Sequence, residues 1–554
     1  MKMPIATTYC FKTTALTYGS KHGIRQLHIK PSNTASVRLF NSTVGLRHDL
    51  KSSNTSKMGS TSPRPPSVDI RFSNDPPTVH SHPVGLFVNN CFSIASSGEC
   101  ITTLDPITDR EVANVPLASS EDVDRAVRAA KSAFDNIWKD MSGTERGRYL
   151  AKLADLLEEN KQYISQVEAL DTGKPVDVVL TEELPECVNV CRYYSGWADK
   201  IYGQSIQPFK EKIAFTAREP LGVCALIVPW NYPLMLSIWK MAPALAAGNT
   251  IVLKSSELTP LSASYLGYLA AEANFPPGVI NILSGDSTTG KSLSSHPGIN
   301  KISFTGSLET GKQIMKAAAQ NMVPVTLELG GKSAALVFSD ADIDQAVKWC
   351  HAGIMSNAGQ ICTATSRIYV SHEIYELFLR SLADYTAEKS KESQFQQPQI
   401  SKKQQQKIQR YIQSGLSEGA RLIYSEDTGS ETGYFVGATI LADVGDDMTV
   451  STEEIFGPVA VCDSFNSMEE AVMRANSSCY GLASAIFTAD ITRALQVARN
   501  LQAGTVWINS SNDSDFRVPF GGYKKSGFGR ELGEHALQAY TQEKSVHINI
   551  GSRL

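Results

Sequence analysis

From about residue 120 onward, short β-rich apolar runs alternate with stretches of helical periodicity. That alternation constrains the fold more than any other feature. Consecutive parallel strands need a crossover between them, and a helix supplies it, so a chain of this pattern builds a parallel sheet covered on both faces. The strand runs lie at 223–228, 250–253, 302–305, 325–327, 335–338 and 367–370, and helical stretches such as 261–273 and 310–320 separate them. Ahead of them, residues 120–137 carry Val123, Val127, Ala130 and Phe134 on one face and open with a Ser-x-x-Asp cap. Residues 144–170 read as a second, longer amphipathic helix. No repeat of 20 to 50 residues interrupts the pattern, so the expected class is α/β with a doubly wound sheet.

The 554 residues suffice for several domains. Lys+Arg 52 against Asp+Glu 56 leaves a net charge of −4, which gives no clustered basic charge for a nucleic-acid partner. No run of about 18 apolar residues occurs, so no membrane-spanning helix is expected. The ten cysteines include no CxxC, and Cys187/Cys191 has no histidines at zinc-ligand spacing. No metal site is therefore expected, and reduced thiols in an intracellular compartment are.

Residues 1–48 hold seven basic residues and no acidic one. Either they form an organelle transit segment, or Met58 begins the protein. Residues 49–82 are polar and proline-rich, so a leader and linker that does not pack is expected over 1–82. The chain ends Ser552-Arg553-Leu554, close to the peroxisomal S-K-L address. Peroxisome and mitochondrion both stay open as destinations.

Five segments carry residues suited to chemistry. Gly359-Gln360-Ile361-Cys362-Thr363-Ala364 puts a cysteine in a turn after a helical stretch, where it is either a buried apolar group or a nucleophile. Leu327-Glu328-Leu329-Gly330-Gly331-Lys332 buries a carboxylate at a strand end. It is paired with Lys332, or it is a general base with a raised pKa. Val228-Pro229-Trp230-Asn231-Tyr232-Pro233 brackets an asparagine with prolines. That asparagine shapes a turn or aims an amide at an oxyanion. Lys254-Ser255-Ser256-Glu257 follows a strand, where a surface ion pair or a ribose-binding pair is possible. Phe304-Thr305-Gly306-Ser307 offers a glycine turn at a helix start, a place for phosphate.

In this order the segments resemble the aldehyde dehydrogenase superfamily over residues 85–550. Glu453-Glu454-Ile455-Phe456-Gly457-Pro458, Pro519-Phe520-Gly521-Gly522 and Ser526-Gly527-Phe528-Gly529-Arg530-Glu531 join the resemblance. It implies a split nucleotide-binding domain (83–200 and 220–328), a catalytic domain (329–534) and a small bridging β segment (201–219 with 535–550). It also implies that Cys362 attacks the aldehyde, that Asn231 holds the oxyanion, and that Glu328 activates the water that hydrolyses a thioester. NAD is the implied cofactor, with Lys254 and Glu257 on the adenosine ribose and Gly306 and Ser307 at the pyrophosphate. Glu454 and Phe456 would clamp the nicotinamide ribose, and Trp230 and Gly285 would line the same cleft. A carboxylate at Glu257 disfavours the 2′-phosphate of NADP. Glu328 favours water over coenzyme A as acyl acceptor.

Tyr232 and Trp239, with the 359–367 segment, are similar to betaine-aldehyde and aminoaldehyde dehydrogenases, whose tunnel aromatics hold cations. Glu182, Glu183 and Glu186 would add negative charge at the entrance. Phe520 and Ser356 depart from that pattern, and residues 192–198 look more like aliphatic or retinal-type members. A homodimer or homotetramer is implied through the C-terminal strand. A catalytically silent binding protein is the alternative of another class; the intact trio of Asn231, Glu328 and Cys362 argues against it.

Overall fold

The computed structural model describes residues 66–72, 78–430 and 432–551. The basic leader, Met58 and the terminal Ser552-Arg553-Leu554 lie outside the described residues.

The strand runs of the sequence become the centres of two sheets. The first has eight strands, in spatial order Gly527–Phe528, Val325–Glu328, Lys301–Thr305, Val223–Ile227, Thr250–Ser255, Ile280–Ser284, Leu86–Val88 and Cys91–Ser93. Its five middle strands are parallel and nearly all their residues are buried, as both-face coverage requires. Alternate residues of one strand feed opposite cores: Cys224 and Leu226 pack with Leu150, Tyr194 and Met241, while Val223, Ala225 and Ile227 pack with Val123, Val127 and Ile314. Of the five parallel strands, Val223–Ile227 comes first in the chain yet sits mid-sheet. The chain winds to one side through Thr250–Ser255 and Ile280–Ser284, then crosses to Lys301–Thr305 and Val325–Glu328 on the other. This reversal opens a crevice at the strands' carboxyl ends, where ligands bind in doubly wound sheets.

The second sheet has seven strands, ordered Arg421–Ser425, Thr439–Ala442, Val459–Phe465, Arg367–Ser371, Ala334–Val337, Ala483–Phe487 and Thr505–Ile508. All pair in parallel except the first, an edge. A third sheet joins Thr541–Asn549, Lys212–Pro220 and Ser205–Phe209. Among the described residues no helix is long and apolar enough to cross a membrane.

Three expectations need correction. The long helix over 144–170 is two, Gly143–Glu159 and Lys161–Thr172. They break at Asn160, whose amide bonds the Leu156 carbonyl at 2.8 Å and whose carbonyl oxygen accepts the Tyr265 hydroxyl at 2.9 Å. Such side-chain bonding competes with the helical ladder. The 120–137 helix is α-helical only to Ala133 and then makes a π turn, Phe134–Trp138, that buries Trp138. The segment 49–82 does pack in part: Ser67–Phe72 and Thr78–Pro83 pair antiparallel, and Ile70 and Phe72 join Val167 and Leu261 in a small core. His82 anchors that hairpin, with ring nitrogens 2.8 Å from the Tyr163 hydroxyl and 3.1 Å from the Leu261 carbonyl. Burial pushes this imidazole down to about 4, against the pull of the carbonyl, so it is neutral. Gly527–Phe528, far along the chain, returns to the first sheet and pairs with Val325–Glu328.

Candidate active site

A cavity of about 530 Å³ opens at the carboxyl ends of the first sheet. Its wall brings together Asn231, Glu328 and Cys362, along with Trp230, Gly306, Ser307, Glu454, Phe456, Tyr232, Trp239 and Phe520.

Asn231 arrives where Val223–Ile227 leaves the sheet, just before the helix Pro233–Ala246 begins on a proline. It is buried. One amide N–H reaches the Gln360 carbonyl at 3.0 Å, and Asn357 donates to the Asn231 carbonyl at 3.3 Å. The strand end is thereby tied to the cysteine loop, and the second amide N–H of Asn231 is left for a ligand.

Cys362 follows the helix Ile343–Met355 and the short turn Ser356–Gly359, where Asn357 and Ala358 hold left-handed backbone with φ of 49° and 51°. Non-glycine residues in that region store strain, of order 1–3 kcal/mol each. Cys362 is half-buried. Burial first, then the carboxylates of Glu454 and Glu328, push its thiol up to about 12, while the N–H groups of Cys362 and Thr363 pull the other way. The resting group is therefore a thiol, and a base must take its proton before it can attack.

Glu328 ends its strand 3% exposed, and neither carboxylate oxygen has a hydrogen-bond partner among the described residues. Burial, reinforced by Glu531, raises its pKa well above the usual carboxylate range against the opposing Lys240 and Arg530. The pairing with Lys332 left open by the sequence does not form: the buried Lys332 ammonium has no hydrogen-bond partner among the described residues, and burial pushes it down to about 7. The two glycines between them are required sterically. A Cβ at Gly330 would stand 2.1 Å from a Glu454 oxygen, and one at Gly331 would stand 2.4 Å from the Cys362 carbonyl.

Those glycines admit Glu454, which accepts the Gly331 N–H at 2.9 Å. Phe456 has φ of 61° and meets Trp230 edge-on, with centroids 5.4 Å apart. Ser307 caps the helix Leu308–Gln320, accepting the Thr310 N–H at 3.3 Å, and turns that N-terminus toward the cavity wall. Lys254, Glu257 and Gly285 do not line this cavity. They stand beyond it, at the ends of the adjacent strands Thr250–Ser255 and Ile280–Ser284, with Lys254 and Glu257 3.6 Å apart. Burial lowers the Lys254 pKa. A buried Ser255 hydroxyl at the same strand end has no hydrogen-bond partner among the described residues. This row of a carboxylate–ammonium pair, a helix N-terminus and an aromatic pair fits a dinucleotide laid across the strand ends.

Trp239 and Phe520 meet at 5.4 Å on the substrate side, and Glu182, Glu183 and Glu186 also reach the cavity. The sequence assigns no role to four wall or supporting groups. Gln404 donates to the Phe456 carbonyl at 2.9 Å and Lys407 to the Glu454 carbonyl at 3.4 Å; nothing in their polar helix marks them. Lys240 and Glu531 form a buried ion pair next to Glu328, with Lys240 also bonding the Thr305 hydroxyl at 2.7 Å. A lysine inside the apolar helix PLMLSIWKMAPALA was the available signal. Lys240→Met leaves Glu531 charged and uncompensated, and is expected to destabilise the protein by about 3–5 kcal/mol. Urea denaturation checks this, and Lys240→Met with Glu531→Leu should recover most of the loss.

A doubly wound sheet whose switch point opens on a thiol, an amide and an unpaired carboxylate defines an oxidoreductase of the aldehyde-oxidising kind. The aldehyde dehydrogenase family model matches residues 93–546, and the chain belongs to that family. It is 47% identical over 474 residues to retinal dehydrogenase 2 of Homo sapiens, covering 84% of this chain and 92% of the relative. It is 46% identical over 482 residues to an aldehyde dehydrogenase-like protein of Schizosaccharomyces pombe, covering 85% and 96%. Among solved structures, the NAD+ complex of aldehyde dehydrogenase from Bacillus cereus matches with a TM-score of 0.82 at 45% identity, over 84% of this chain and 97% of that one. A betaine aldehyde dehydrogenase variant from Staphylococcus aureus in complex with NAD+ matches with a TM-score of 0.82 at 35% identity, over 85% and 96%.

Proposed function

We propose that this enzyme oxidises an aldehyde to its carboxylic acid with NAD, through a thioester on Cys362 and with water as acyl acceptor. The observation that carries the reading is the shared cavity of Cys362, Asn231 and the unpartnered Glu328. Once its thiol is deprotonated, the Cys362 sulfur bonds the carbonyl carbon. The oxygen that becomes an alkoxide is held by the free Asn231 amide N–H and the Cys362 backbone N–H. Bound NAD supplies the hydride acceptor, and loss of hydride from the carbon leaves the acyl group on sulfur. Glu328 then takes a proton from water, the hydroxide adds to the thioester, and collapse releases the acid and the thiolate. Lys254 and Glu257 hold the adenosine ribose in this reading, and the Glu257 carboxylate favours NAD over NADP.

Asn231→Ala removes one oxyanion donor and is expected to lower kcat by about 10²–10³ with little change in NAD affinity. Steady NADH production from a panel of aliphatic, aromatic and cationic aldehydes, under NAD and NADP, tests the reading as a whole. A narrower second reading, betaine-aldehyde or aminoaldehyde oxidation, is favoured by Glu182 and Glu186. They reach the cavity and enter no ion pair among the described residues. The same panel decides it. Assembly is also proposed: one face of the three-stranded sheet exposes Ile213, Phe215 and Ile548, and a second copy would cover this apolar surface.

A further inference from the structure

The tunnel aromatic Tyr232 and the amide Asn231 sit in one short segment, and that segment is braced from behind by buried charges that the reaction does not consume. Lys174 is 4% exposed. Its ammonium stands 3.8 Å from the centroid of the Tyr232 ring and donates to a Glu183 carboxylate oxygen at 2.6 Å. Glu183 ends the π-helical turn Val179–Glu183, whose wider winding brings this carboxylate to the cavity wall; such turns recur at functional sites. Glu168, fully buried, accepts the Leu234 N–H at 3.3 Å, in the first turn of the helix that follows Asn231 and Tyr232. Glu168 and Glu183 each keep one buried oxygen without a hydrogen-bond partner among the described residues. Three ionisable side chains from one stretch of chain, 168–183, thus grip the Asn231–Leu234 segment at two points, the Tyr232 ring and the Leu234 amide. Buried charges of this kind are costly, and replacing such a pair by apolar groups is often neutral for stability. Stability alone therefore does not explain them.

We propose that Lys174, clamped by Glu183, is a positioning residue for aldehyde oxidation: it fixes the Tyr232 ring and, together with Glu168, holds the Asn231 amide in register with Cys362. The proposal rests on the roles given above to Asn231 and Cys362. Displacing an oxyanion donor by about 1 Å costs on the order of 10²-fold in rate, so loss of the brace should show in the chemistry and not in cofactor binding.

The test compares Lys174→Arg, Lys174→Gln and the double variant Lys174→Met with Glu183→Leu, in the full chain. The double variant removes both buried charges, so it should keep the parental melting temperature within a few degrees. Its kcat/KM for a short aliphatic aldehyde should fall about 10- to 100-fold, mostly in kcat, while NAD affinity from fluorescence titration is unchanged. Lys174→Arg, which keeps the cation over the ring, should recover at least half of the parental rate. Parental kcat/KM in the double variant overturns the proposal, as does a fall in melting temperature with unchanged kinetics. Should the double variant not fold, Lys174→Gln decides by the same criteria. Cys362→Ser in the same assay tests the underlying reading separately: if it stays active the nucleophile assignment fails, whereas an inert Cys362→Ser beside unaffected Lys174 variants removes only the brace.

Discussion

Cys362→Ser is expected to abolish NADH formation, with a loss on the order of 10⁴–10⁶ in kcat, while NAD still binds. The size follows from the site. Burial and two nearby carboxylates already hold the cysteine thiol at about 12, and a serine hydroxyl in the same place is far harder to ionise. Removing a nucleophile that acts as a unit with its base costs nearly the whole chemical acceleration. Serine keeps the backbone N–H that faces the oxyanion and changes little volume, so the cofactor row at Lys254, Ser307 and Glu454 should be undisturbed. Equilibrium titration with NAD checks binding, and absorbance at the NADH band checks turnover. A variant with near-parental turnover removes Cys362 from the chemistry.

Glu328→Gln should separate the two halves of the reaction. The amide is isosteric and cannot take a proton from water, so steady-state turnover is expected to fall by about 10²–10⁴. A pre-steady-state burst of NADH, close to one per active site, should survive wherever another base or bulk solvent can take the thiol proton. In the parent, turnover should rise with pH, because the carboxyl, raised by burial and by Glu531, acts as a base only when ionised. The variant should lose that rise. A pH profile that Glu328→Gln leaves untouched would assign the titration to another group.

Much of this site was legible in the sequence because its residues stand at strand ends or in glycine turns, where local pattern reports geometry. Glu328 is a carboxylate closing an apolar strand, and the two glycines after it are explained by the approach of Glu454 and the Cys362 carbonyl. Asn231 lies between prolines that fix the strand-to-helix turn. Lys254 and Glu257 stand at the carboxyl end of Thr250–Ser255 but outside the cavity of Cys362, a distinction of depth that spacing does not carry. What escaped depends on contacts between distant segments. Gln404 and Lys407 belong to a polar helix with no motif, and they meet Phe456 and Glu454 only through tertiary packing. The breaks at Asn160 and after Ala133 arise from a side chain that bonds Tyr265 and from the burial of Trp138. The hairpin Ser67–Phe72 with Thr78–Pro83 was hidden because its strands are short and polar on one face, and its stability comes from docking Ile70, Phe72 and His82.

The central claim is that an acyl group passes through the Cys362 sulfur. Glu328→Gln, mixed with aldehyde and NAD and acid-quenched within the burst, should show intact protein heavier by the mass of the acyl group. Peptide mapping should place that mass on Cys362, and hydroxylamine should remove it as expected of a thioester. NADH formed in the burst with no added mass on Cys362 would contradict the account.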